Sequence, residues 1–131
     1  MKKIDKKLLL KDLCARLPYG VKVEHLLHSP NNPSELFGVD VDKQILYCDH
    51  KGREEWYKVD FIKPYLRPMS SMTEEEKVEF CDLQDKFLLS SQYPVTCGYA
   101  LFDWLDKNMF DYRGLIEKNI ALDCTGLHIY D

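Results

Sequence analysis

Between Val21 and Arg67 the chain is cut into short alternating segments by clusters of turn-forming residues, and this restricts it to short strands. Val21 and Val23 alternate with Lys22 and Glu24, predicting a strand over 21–27. His28-Ser29-Pro30-Asn31-Asn32-Pro33-Ser34 follows, a loop whose two prolines exclude a central strand. Segments 35–41 and 44–49 then predict a hairpin, with Phe37, Val39 and Val41 on one face and Asp42-Lys43 as connector. The turn at 49–54 leads to a fourth strand over 55–59. One helical turn over 60–63 and a last short strand over 65–67 complete the series. Closely spaced strands of this length, with a brief helical turn before the last, predict a small SH3-like β-barrel, whose closure would remove most of the exposed edge.

Helical periodicity flanks this region. Leu9, Leu13 and Leu17 recur at i, i+4, i+8, with Ile4 and Leu8 beside them and lysines opposite, predicting a helix over 4–17 stopped by Pro18 and Gly20. Thr73 and Glu76 have the spacing of a capping box, opening a helix over 74–90 with Phe80, Leu83 and Phe87 on one side. That helix should stop at Ser90-Ser91-Gln92-Tyr93-Pro94. A further helix fits 98–108, Asp111 is placed to cap a short one over 112–119, and 120–122 and 127–130 read as extended. The expected fold is α+β: an N-terminal helix, the barrel, then a helical C-terminal half.

Charge divides the chain near the same joint. Residues 1–67 carry 13 Lys+Arg and 10 Asp+Glu, whereas 68–131 carry 5 and 12, within an overall net charge of −4. With Arg67-Pro68-Met69-Ser70-Ser71-Met72 at the change, the expected division is 1–68 and 69–131, the second packed on the first. The basic N-terminus has only Leu8 to Leu10 as an apolar stretch, shorter than the roughly 7–15 residues of a secretory signal. Cys14, Cys48, Cys81, Cys97 and Cys124 are odd in number and never form C-x-x-C. Both features predict a cytoplasmic chain with reduced thiols, and no apolar run approaches a bilayer span.

Three blocks carry a resemblance: Asp12-Leu13-Cys14-Ala15-Arg16-Leu17-Pro18-Tyr19-Gly20-Val21; Ile62-Lys63-Pro64-Tyr65-Leu66-Arg67-Pro68-Met69-Ser70-Ser71-Met72-Thr73-Glu74-Glu75-Glu76; and Phe110-Asp111-Tyr112-Arg113-Gly114-Leu115-Ile116-Glu117-Lys118. With them the chain resembles a family of small uncharacterised proteins encoded in Bacteroides genomes, often inside phages and other mobile elements. The resemblance brings no established activity, cofactor or catalytic residue. It implies a cytoplasmic accessory protein of phage or prophage context.

Chemistry-bearing patterns are sparse. Cys48-Asp49-His50 offers donors without the second pair that a zinc site needs, and Cys124 and His128 are split by Thr125-Gly126. The G-x-S-x-G, G-x-x-x-x-G-K-[ST] and H-E-x-x-H patterns are missing. Asp103, Asp106 and Asp111 read as solvent-facing carboxylates. No metal, cofactor or catalytic set is therefore expected, and an enzyme of unknown class ranks third among the readings.

Lys2, Lys3, Lys6, Lys7 and Lys11 form a basic arm that supports nucleic-acid association, although the acidic second half would repel phosphate. The leading reading rests on aromatics. Tyr47, Trp56 and Tyr57 lie together in the proposed barrel, and Tyr93, Tyr99, Phe102, Trp104, Phe110 and Tyr112 crowd the second half. Most must fill the core of so short a chain, but Tyr, Trp and Arg also anchor interfaces. Trp56, Tyr57, Trp104, Tyr112 and Arg113 are the contact candidates for an unidentified host or phage protein, with Phe110-Asp111-Tyr112-Arg113-Gly114 the preferred segment.

Overall fold

The computed structural model describes residues 1–26, 32–50, 52–89 and 94–131. Helix α1 (Lys3–Arg16) buries Leu9, Leu10 and Leu13 and keeps Lys3, Lys7 and Lys11 exposed, as its spacing predicts. A 3-10 turn at Leu17–Tyr19 contains Pro18. Gly20 closes it at φ 74°, a left-handed conformation that a residue without Cβ adopts freely.

Six strands follow: β1 (Lys22–His25), β2 (Ser34–Asp40), β3 (Ile45–His50), β4 (Arg53–Lys58), β5 (Ile62–Leu66) and β6 (Leu122–Asp123). They form one sheet in the order β4-β3-β2-β1-β5-β6, antiparallel throughout except that β6 runs parallel to β5. A 3-10 turn at Val59–Phe61 precedes β5. The sheet is open: β4 and β6 are its edges, and among the described residues no ladder joins them. The expected closure is therefore not observed.

Helices α2 (Glu74–Leu89) and α3 (Pro94–Lys107) form a hairpin after a 3-10 turn at Met69–Ser71. At the start of α2 the Glu76 N–H donates to Thr73 Oγ1 (3.1 Å) and the Thr73 N–H to Glu76 Oε1 (2.9 Å), the reciprocal capping box read from the sequence. No helix forms over 112–119. The Asp111 carboxylate does accept the N–H groups of Leu115 (2.8 Å) and Ile116 (2.9 Å), but they belong to a turn, with Gly114 at φ 76° and Asn119 at φ 60°. Of the extended tail, only β6 is a strand. Residues 28–31 of the expected loop and the helix stop at 90–93, including Tyr93, lie outside the described residues.

The main core draws on both sides of residue 68. Leu9, Leu13, Val21, Val23, Leu46, Ile62 and Leu66 pack with Met109, Leu115, Ile120 and Ala121. The backbone of Arg67 exchanges bonds with this later segment: its N–H donates to the Met109 carbonyl and its carbonyl accepts from Asp111, both at 2.8 Å. The α2–α3 hairpin keeps a smaller cluster of Leu101, Leu105 and Phe110, flanked by Phe80, Leu83, Phe87 and Trp104. Tyr130 clasps the tail down, donating to the Tyr65 carbonyl (2.7 Å) and accepting from the Lys22 N–H (2.9 Å). Overall the chain is α+β, and among the described residues no helix is long and apolar enough to cross a membrane.

Candidate functional site

The open side of the sheet carries a stripe of exposed aromatic rings across three strands. Tyr47 on β3 lies opposite Trp56 on β4 and opposite Gly38 on β2. The ladder shifts between Leu36 and Gly38, so Phe37 is the extra residue of a bulge and turns outward beside Tyr47, ring centroids 6.2 Å apart. Trp56 is 60% exposed, Phe37 48% and Tyr47 36%. Gly38 makes room for the stripe: a Cβ there would lie 3.3 Å from Tyr47 Cδ2. The other face of the same strands is buried, with Leu36, Leu46 and Cys48 in the core.

Phe37 departs from expectation. Strand alternation puts it with Val39 and Val41 on one face, but the bulge moves it to the opposite face from Val39, while Val41 falls in the turn after β2. Gly38, an isolated glycine inside a strand pattern, is the residue that could have signalled the bulge.

The five contact candidates fall into different surroundings. Trp56 is the exposed one. Tyr57, its neighbour, faces the other side, where its ring lies 3.7 Å from that of His25 and its hydroxyl bonds Glu55. Trp104 is half-buried between Phe80 (6.0 Å) and Phe110 (5.5 Å), and its indole N–H donates to Glu79 at 2.9 Å. Tyr112 donates to Asp106 Oδ1 at 2.7 Å under the guanidinium of Arg113, which is 4.6 Å from the ring centroid. Burial, then that bond, raises the Tyr112 pKa. Arg113 is 16% exposed and bonds Asp12. Trp104, Tyr112 and Arg113 are thus engaged with internal partners, and Tyr99 and Phe102 on α3 are more exposed than any of them.

A buried ion cluster, unread from the sequence, explains those engagements. Arg16 and Asp12 are both fully buried one helical turn apart, Nε to Oδ2 at 2.9 Å, and Arg16 Nη2 also donates to the Phe110 carbonyl at 2.7 Å. Arg113 approaches from the C-terminal segment, and Asp106 lies 3.9 Å from it. Burial outweighs these neighbours and raises the Asp106 pKa. The signal was available: Asp12 and Arg16 lie three residues beyond Leu9 and Leu13, on the same helical face.

Of the basic arm, Lys2, Lys3, Lys7 and Lys11 are exposed, and Lys6 pairs with Asp60 at 3.1 Å. Among the described residues no three His, Cys, Asp or Glu side chains converge as metal ligands would. Cys124 is buried, while His128 is exposed and pairs with Asp131; the side chain of His50 lies outside the described residues. A cavity of about 440 Å³ is lined by Arg67, Thr73, Glu76, Cys124, His128 and Tyr130. Its cation is already satisfied: Arg67 holds both Glu76 oxygens at 2.8 and 2.6 Å and lies over the Phe110 ring. Burial pushes the Cys124 thiol up and the Cys48 thiol to about 12, opposite to the activation a nucleophile needs. No family model, curated protein or solved structure matches this chain.

Proposed function

We propose that this chain is a non-enzymatic binding protein that contacts a protein ligand through Phe37, Tyr47 and Trp56. The carrying observation is that three large rings from three adjacent strands share one exposed face, while Trp104, Phe110 and Tyr112 are packed or internally bonded. Aromatic side chains supply most of the energy of protein interfaces because they bury large areas with little rotamer entropy to lose. The resemblance adds the context of a cytoplasmic accessory protein of phage or prophage origin, with a host or phage protein as ligand. The strand order β4-β3-β2-β1-β5 and the 3-10 turn before β5 support an SH3-like arrangement for the first five strands.

Affinity capture from native host lysate tests this reading. The unaltered chain should retain a specific protein that Phe37→Ser and Tyr47→Ser lose while keeping the same thermal transition. Capture by both variants at wild-type levels, or by none of the three proteins, overturns it. Nucleic-acid association is the second reading, supported by the four exposed lysines of α1 and its leading residues. Retention on DNA that falls steeply with salt would favour it.

A further inference from the structure

We propose that the chain self-associates as a two-fold dimer, joining the β4 edge of one copy to the β4 edge of a second. This goes beyond the ligand-binding reading and is independent of it.

Hydrogen bonding sets which β4 groups face the edge. The Val59 N–H donates to the Gln44 carbonyl at 3.0 Å, flanking the pair Ile45–Lys58 and making it the non-hydrogen-bonded type. Pair types alternate along an antiparallel ladder, so Tyr47–Trp56 and Asp49–Glu54 are of the same type. The backbone N–H and C=O groups of Glu54 and Trp56 and the N–H of Lys58 therefore point away from β3, toward the open edge, while the Lys58 carbonyl opens the 3-10 turn at Val59–Phe61. Among the described residues no strand takes them up. These three side chains are exposed and share the sheet's outer face.

The sequence of that edge is self-complementary. With Trp56 opposite Trp56 of the second copy, Glu54 falls opposite Lys58 and Lys58 opposite Glu54. The two Trp56 residues then exchange a pair of backbone bonds and each Lys58 N–H reaches the opposite Glu54 carbonyl, both charges face opposite charges, and the two indoles meet across the axis. Sliding the register by two residues in either direction sets Trp56 against Glu54 or Lys58 and leaves charges unmatched. Charges on an edge strand ordinarily guard against pairing. Here their signs are ordered so that one two-fold register removes the guard. The two outer faces would join, making one surface from Phe37, Tyr47 and Trp56 of both copies.

Sedimentation equilibrium of the purified chain at low salt, from micromolar to millimolar, tests the proposal without any ligand. The unaltered chain should pass from monomer to dimer. Glu54→Lys and Lys58→Glu, both surface changes, should each weaken association about tenfold or more by setting like charges opposite. The combined Glu54→Lys/Lys58→Glu chain should recover wild-type association within a few-fold. Phe37→Ser, off the edge, should leave dimerisation intact even where it abolishes ligand capture. A monomer throughout, insensitivity to the single charge reversals, or failure of the double reversal to restore the dimer overturns the proposal.

Discussion

Arg113 and Asp12, 101 residues apart in the chain, meet with Nη1 2.7 Å from Oδ1, and this contact ties α1 to the segment that follows α3. Asp12 also holds Arg16, so one fully buried carboxylate faces two guanidinium groups. Arg16 Nη1 is already a buried nitrogen with no hydrogen-bond partner among the described residues. Asp12→Ala would leave the buried Arg16 without its paired carboxylate and should destabilise the fold by about 3–5 kcal/mol. Urea unfolding measures this; a loss under about 1 kcal/mol would mean that water reaches the cluster.

Asp111 gives a second stability test. Its carboxylate closes the turn after α3 by accepting two N–H groups, work normally done by a helix N-cap. Asp111→Ala should cost about 1–2 kcal/mol, and Asp111→Asn less because one oxygen acceptor remains. Equal losses for the two variants would show that charge, rather than acceptor geometry, matters there.

These two sites mark how far the sequence was legible. Local signals are legible: the leucine spacing of α1, the Thr73–Glu76 box and the hairpin β2–β3 each depend on residues a few positions apart. What failed depended on distant partners. Phe37 was misplaced because strand alternation holds only while the register does, and Gly38 accompanies a bulge. The burial of Arg16 requires Phe110 and Arg113, far along the chain, to close over it. Residues 112–119 carry a helix-like capping signal, yet Gly114 and Asn119 take positive φ and the segment stays a turn. The β5–β6 pairing, parallel and two residues long, leaves almost no local trace.

Stability should depend on pH through Glu76. The bonds from Arg67 hold its carboxyl down at about 2, against 4.5 for an ordinary glutamate. A folded pKa below the unfolded one means that the contribution is complete above about 4.5 and is lost as pH falls toward about 2. The pair is partly solvated, so the amount is about 1 kcal/mol or less. Glu76→Gln should lower stability at neutral pH by about that amount and flatten the acid limb, so that the two profiles converge as pH falls toward about 2. Asp106 acts in the opposite sense: its raised pKa favours the folded state as protons are added. An unchanged acid limb in Glu76→Gln would remove Arg67–Glu76 from the explanation.

The α2–α3 hairpin should open before the sheet does. α2 has no buried residue over its length, whereas β5 buries four of its five. Its attachment is the small cluster around Leu101, Leu105 and Phe110, together with the Arg67–Glu76 pair and the Trp104–Glu79 bond. Local opening free energy follows buried apolar contact, so α2 amides should exchange with solvent by subglobal opening, while those of β1, β2 and β5 wait for global unfolding. Trp104→Ala removes the ring stacked between Phe80 and Phe110 and should accelerate exchange in α2 with little change in the strands. If α2 and β5 instead exchange with one common free energy, the hairpin is held by the same cooperative unit as the main core.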